Sequence, residues 1–222
     1  MGIMKDSSLP FGVGSAYRHG WRKLWKYFLE LFLIFIVGAL LSVPSSAGGW
    51  SGQDMSGIGM MGFLGMAYTF LVAGPVELGI SFAFLKAARD ERAEVKDIFA
   101  AFSNYWNAVL ASLLVGALVI IGLFILIVPG IFIACKLAFT PYLVVDRKME
   151  VTEAIRESWR MTNGHALTVF VIGLLAIPLS IAGLLVMGVG IIISVMWVSL
   201  ALASLYHAVT LQEKAAAQPT GA

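Results

Sequence analysis

The sequence predicts an all-α membrane protein: a six-span transmembrane helical bundle made of three repeats, each an interfacial amphipathic helix followed by a transmembrane hairpin. Three observations predict it. Hydrophobic residues are 59% of the 222, charged residues 13%, and mean hydropathy is +0.90; a soluble domain is nearer 45–50% apolar and about 25% charged. Apolar runs of spanning length recur along the chain. Finally, Lys and Arg gather in alternate connections and are missing from the others.

Residues 1–12 read as a flexible lead-in without the apolar core of a cleaved signal, so the first span is expected to serve as an uncleaved one. From Val13, apolar residues fall at Ala16, Tyr17, Trp21, Leu24, Trp25 and Phe28, with Arg18, Arg22, Lys23 and Lys26 on other faces. That spacing and composition suit a helix in the headgroup region. Span 1 follows at 27–43, with Glu30 one i,i+4 step from Lys26 and read as its partly solvated partner.

A Gly- and Ser-rich connection at 44–60 holds Trp50 and Asp54 and no basic residue. Span 2, at 61–85, carries Gly74-Pro75 at its middle, where a kink is expected. The charged run at 86–96 reads as a solvated helix laced with i,i+4 pairs. Val95, Ile98, Phe99 and Phe102 then make a second amphipathic stripe, with Tyr105 and Trp106 at an interface position.

Span 3 is 107–128, closed by a Pro129-Gly130 break, and span 4 is 131–145. Fifteen residues at about 1.5 Å each fall short of the ~30 Å hydrocarbon core. Span 4 must therefore borrow flanking residues, thin the bilayer, or re-enter. Val151, Ala154, Ile155, Ser158 and Trp159 form the third stripe. Span 5 is 165–186, a turn covers 187–190, and span 6 is 191–211. The tail at 212–222 is expected to be disordered. The hairpin units run about 13–85, 86–145 and 146–211, within one membrane domain at 13–211.

Placing both termini and the loops at 86–106 and 146–164 inside puts 14 of the 15 Lys and Arg in the cytoplasm; Lys136 is the exception. This positive-inside pattern favours six spans, N-in and C-in, in a bacterial inner membrane. A re-entrant span 4 would turn four basic residues of 146–164 outward. The repeat rests on Val13-x-x-Ala16-Tyr17-x-x-x-Trp21 matching Val151-x-x-Ala154-Ile155-x-x-x-Trp159, with Val95-x-x-Ile98-Phe99-x-x-Phe102 as a looser copy. Trp21, Trp25, Tyr105, Trp106 and Trp159 are the expected interfacial anchors.

Glu77 and Lys136 are the intramembrane charges, and such residues are functional candidates by default. Each lies about nine or ten residues from a charged loop, so they can pair across spans 2 and 4, or line a polar cavity; Lys136 can also snorkel. His19, His165 and His207 fall near the inner face, where capping or contact roles outweigh metal or haem ligation. The one cysteine, Cys135, provides no disulfide and no zinc set. No HExxH, Gly-rich phosphate loop or GxSxG occurs. No catalytic residue, cofactor or metal is expected.

The motifs Gly74-Pro75-Val-Glu77-Leu-Gly79, Leu85-Lys-Ala-Ala-Arg89, Asp97-Ile-Phe-x-x-Phe102, Val128-Pro-Gly-Ile131, Pro141-Tyr-Leu-Val-Val-Asp146 and Ala154-Ile-Arg-Glu-Ser158 carry a resemblance over residues 10–210. It is to a broad group of bacterial integral membrane proteins similar to the membrane domain of some glycerophosphodiester phosphodiesterases. The resemblance implies a polytopic helical domain and no enzyme. The functional expectation is a non-enzymatic scaffold or interaction module that binds a membrane-protein partner or lipid, or a second copy of itself. A small transporter or channel using Glu77 and Lys136 is the alternative.

Overall fold

A computed structural model describes residues 12–47, 64–65, 67–125, 127–185 and 189–217. Among the described residues the protein is all-helical. The elements are α1 (Val13–Lys26), α2 (Phe28–Ala47), a π-helical turn (Thr69–Ala73) leading into α3 (Gly74–Ala88), a 3-10 segment (Val95–Asn104) leading into α4 (Tyr105–Ile125), α5 (Ile127–Leu137), α6 (Thr140–Asp146), α7 (Val151–Met161), α8 (Ala166–Leu185) and α9 (Val189–Ala217). Five helical stretches are long and apolar enough to cross a membrane: Thr69–Ala88, Val95–Phe124, Val128–Asp146, Ala166–Leu184 and Gly190–Ala215. The number rises to six if α1 and α2, which meet at 91°, count as one broken span. The protein is a multi-pass membrane protein.

Burial sorts these helices. Half of the most apolar window of α3, and half of that of α9, lies inside the bundle, as does half of the α5–α6 span, whereas the window that includes α4 is 22% buried and that of α8 17%. The core lies along Phe84 and Leu85 of α3, Leu143 and Val144 of α6, and Met196, Leu200, Leu205 and Tyr206 of α9, all at most 2% exposed. Phe124, Ile120, Leu167 and Ile177 lie on the uncovered faces. Water would penalise that much contiguous apolar surface, and lipid does not.

Span 2 is irregular just before its proline, by a specific device. Pro75 has no N–H to give to the carbonyl four residues back, at Leu71. The chain widens to π spacing over Thr69–Ala73, and the Gly74 N–H reaches Thr69 O. The Tyr105 hydroxyl donates to the freed Leu71 carbonyl at 2.9 Å. An aromatic residue expected to be a membrane anchor therefore also satisfies that carbonyl.

Several boundaries differ from expectation. Pro129-Gly130 does not form the turn between spans 3 and 4. α4 ends at Ile125 and Pro129 sits in the first turn of α5, where a missing N–H costs nothing. Span 4 is longer than expected, 19 residues, and is broken in two at Ala138–Phe139. Pro141, at the start of α6, makes that break by withholding its N–H. The tail is helical to Ala217; Gln, Glu, Lys and Ala favour helix, and Glu213 is held by Arg147 and Arg160. Most of the 44–60 connection, with Trp50 and Asp54, lies outside the described residues, as do 1–11 and 218–222.

The three amphipathic segments adopt two forms. α1 and α7 are α-helices, while the middle one is a 3-10 helix running unbroken into α4. The middle segment departs because it crosses α3 at contact. A Cβ built on Gly79 would collide with the Ile98 carbonyl oxygen. The places where α4 meets α5 and α8 meets α9 are more alike. Gly122 meets Gly130, and Gly183 meets Gly190, each backbone to backbone. No side chain fits between the helices at either place.

Candidate functional site

Ion pairs mark one end of the bundle and tie its elements together. Arg89, just past α3, grips Asp146 at the end of α6, and Tyr206 of α9 donates to the same carboxylate at 3.2 Å. Lys23 and Lys26 of α1 both bind Asp90, Lys26 at 2.5 Å. Lys86 binds Asp97 at 3.0 Å. Arg147 and Arg160 share Glu157 and Glu213. The run at 86–96 is thus a tertiary clasp and not a helix laced with local pairs; only Lys96–Glu94 is local. The backbone reason is Asp90, whose φ of 66° reverses the chain after α3. Lys26 accordingly pairs with Asp90 rather than with Glu30. A cavity of about 490 Å³ opens at this end, with Arg89, Asp146, Arg147, His207 and Lys214 in its wall.

Glu77 and Lys136 do not pair. Lys136 is 5% exposed. Its Nζ donates to Asn163 Oδ1 at 2.5 Å and lies 5.5 and 5.7 Å from the ring centres of Phe132 and Trp159. Two side chains, Ser158 of α7 and Thr162 just past its end, explain its position. Ser158 Oγ donates to the Lys136 carbonyl at 2.7 Å and accepts from the Phe139 N–H at 3.3 Å. The Thr162 hydroxyl also reaches that carbonyl. Backbone groups freed by the 138–139 break are therefore met by α7, and Lys136 ends against the amphipathic helix. Among the described residues no carboxylate forms an ion pair with this ammonium; a neutral amide and two aromatic faces solvate it.

Beside Lys136 a groove of about 560 Å³ opens sideways between α5 and α8. Val128, Ile131, Phe132, Cys135, Leu167 and Phe170 line it, with Gly164, next to Asn163. Phe132 belongs to both the groove and the cation site.

Glu77 faces a second recess, a cleft of about 230 Å³ between α3, α4 and the start of α6. Glu77 is exposed. Ser81, Ser112 and Thr140 share the cleft. Thr140 is fully buried, and its Oγ1 has no hydrogen-bond partner. Only Glu77 in this set stands out in the sequence; the hydroxyls come from three separate segments, and neither charge nor spacing announces them.

The expected anchors divide. Trp25 and Trp106 are 56% and 70% exposed. Trp21 leans on Trp197 with ring centres 4.6 Å apart, and Trp159 forms half of the Lys136 cage. His19 lies 3.3 Å from the Ala88 carbonyl through Nε2. Among the described residues no three His, Cys, Asp or Glu side chains converge on a metal position.

No family model, curated protein or solved structure matches this chain.

Proposed function

We propose that the protein is a non-enzymatic scaffold of the bacterial inner membrane that holds an anionic lipid, with its charged end and both termini in the cytoplasm. The observation that carries this is the juxtaposition of Lys136 with the α5–α8 groove. A buried ammonium without a counter-charge is costly in an apolar environment. A lipid with its chain in the groove and its phosphate at the mouth supplies that charge. Basic pockets between transmembrane helices bind anionic headgroups in this way. At the ion-paired end, α7, which carries the Trp159 ring against Lys136, is held to α9 through Glu157, Arg160 and Glu213.

The test is purification in mild detergent from native membranes, with lipid and protein mass spectrometry. An anionic phospholipid retained at one per chain, and lost in Lys136→Met, supports the reading. A stoichiometric protein in its place shifts the role to partner binding, and retention of neither removes the lipid reading.

A small transporter or channel is the second reading, favoured by the Glu77 cleft. In that reading Glu77 acts without Lys136, which faces α7 and the groove.

A further inference from the structure

We infer that the Glu77 cleft is a binding site for a small primary ammonium ion. The inference does not rest on the lipid reading, since cleft and groove share no lining residue.

Four observations lead to it. First, Glu77 has no cationic partner among the described residues, although nine ion pairs form elsewhere. An unpartnered acid within a span marks a ligand or ion position more often than a structural one. Second, Thr140 keeps an unpartnered hydroxyl while wholly buried in the cleft wall. Leaving a buried hydroxyl unmet costs more than an ordinary hydrogen bond returns, so such a group calls for a partner. Third, both neighbouring helices are irregular at this point. The π-helical turn ends at Ala73, one turn before Glu77, and the span-4 break lies just before Thr140. Irregular backbone at membrane depth occurs where it is covered by protein or lines a cavity. Fourth, Ser112 Oγ donates its proton to the Val109 and Ala108 carbonyls at 2.9 and 3.2 Å, leaving its lone pairs to accept from a guest.

Size and donor count choose the guest. A water occupies about 30 Å³ of liquid, so 230 Å³ greatly exceeds what a bare sodium ion fills, and lies below the 300–1,000 Å³ typical of drug-sized ligands. Leu78, Ala111, Val115 and Pro141 supply apolar wall around the acceptors. A primary ammonium brings one positive charge and three N–H donors. Glu77 takes the charge, hydroxyl oxygens of Ser112 and Thr140 take donors, and a short alkyl tail meets the apolar wall.

The experiment is thermal unfolding of the full chain in nanodiscs, at constant ionic strength, with methylammonium, n-butylammonium, tetramethylammonium and sodium chlorides. n-Butylammonium near a hundred times its Kd should raise Tm by about 5 °C or more, methylammonium by less. Tetramethylammonium and sodium should leave Tm unchanged, as the first has no N–H and the second no tail. Glu77→Gln should abolish the n-butylammonium shift. Thr140→Val provides a variant that keeps its fold, because it removes an unmet hydroxyl; it should unfold no lower than wild type and bind n-butylammonium roughly tenfold more weakly. Equal stabilisation by all four cations, an undiminished shift in Glu77→Gln, or full affinity in Thr140→Val would each overturn the inference.

Discussion

The guanidinium of Arg89 and the carboxylate of Asp146 meet in a two-point clasp, Nη1 to Oδ1 and Nη2 to Oδ2, both 2.6 Å, with side chains only 19% and 13% exposed. The residues lie 57 apart in the chain and end two spans, so the clasp sets the relative height of α3 and α6. Tyr206 adds a third point from α9. The planar fork of Arg suits this geometry, and Lys does not reproduce it.

Removing one partner leaves the other charge poorly solvated. Arg89→Met or Asp146→Leu alone should each lower stability by about 3 kcal/mol or more. The double replacement should recover much of that loss, because the uncompensated charge is then gone. Denaturant unfolding in detergent, read as a double-mutant cycle, checks it. Additive single losses would show that the two side chains act independently.

Gly79 should tolerate no side chain. Its missing Cβ is occupied by the Ile98 backbone, which cannot swing aside as a flexible side chain would. Gly79→Ala must push the 3-10 segment off α3 and should cost at least about 1–3 kcal/mol. Gly173, in α8 with nothing within 4 Å of an added Cβ, is the control. Gly173→Ala should be neutral or stabilising by up to about 1 kcal/mol, through helix propensity. Comparing the two Tm values decides whether packing or propensity governs glycine here.

Much of the fold was legible because it follows from one-dimensional signals. Apolar length located the spans, the stripes located α1 and α7, and Pro75 located the irregular turn. What stayed hidden needed the third dimension. Nothing near Tyr105 announces that its hydroxyl will serve the Leu71 carbonyl, and the charges of 86–96 look local until the chain turns at Asp90. The Glu77–Lys136 pair was expected from matched depth along two spans. Sequence distance gives depth only for unbroken helices, and span 4 breaks immediately after Lys136. Of the Glu77 cleft only the acid was visible, since serines and threonines in spans usually serve their own backbone, as Ser112 partly does.

Acid should loosen the charged end in a defined window. Hydrogen bonds from Lys23 and then Lys26 hold the Asp90 carboxyl well below its usual range. A hydrogen bond from Arg160, with Arg147 beyond it, lowers Glu157. Both carboxyls are depressed on folding, so their contribution is fully present above the unfolded values near 4. It is lost as pH falls through the folded values. Stability should therefore be insensitive to these groups from about pH 8 to 5 and decline below about 4. Asp90 is half-exposed, so its share should not exceed about 1 kcal/mol. Asp90→Asn should lower Tm at pH 7 slightly and flatten part of the acid limb. An unchanged acid limb in Asp90→Asn together with Glu157→Gln would place the acid sensitivity elsewhere.

Ser158 should matter more than an interfacial serine ordinarily does. It is fully buried on α7, and its hydroxyl both donates to the Lys136 carbonyl and accepts from the Phe139 N–H. Those two groups face each other across the break between α5 and α6. No water reaches them in lipid, so their alternative partners are poor. Ser158→Ala should cost about 1–3 kcal/mol by leaving the Phe139 N–H unmet and the Lys136 carbonyl to Thr162 alone, whereas Ser103→Ala, at an exposed site, should change stability by less than about 0.5 kcal/mol. Hydrogen exchange gives the local readout: Phe139 and Thr140 amides should lose protection in Ser158→Ala while those of α9 stay slow. If exchange rose evenly over the bundle, Ser158 would be contributing general packing and not holding the break.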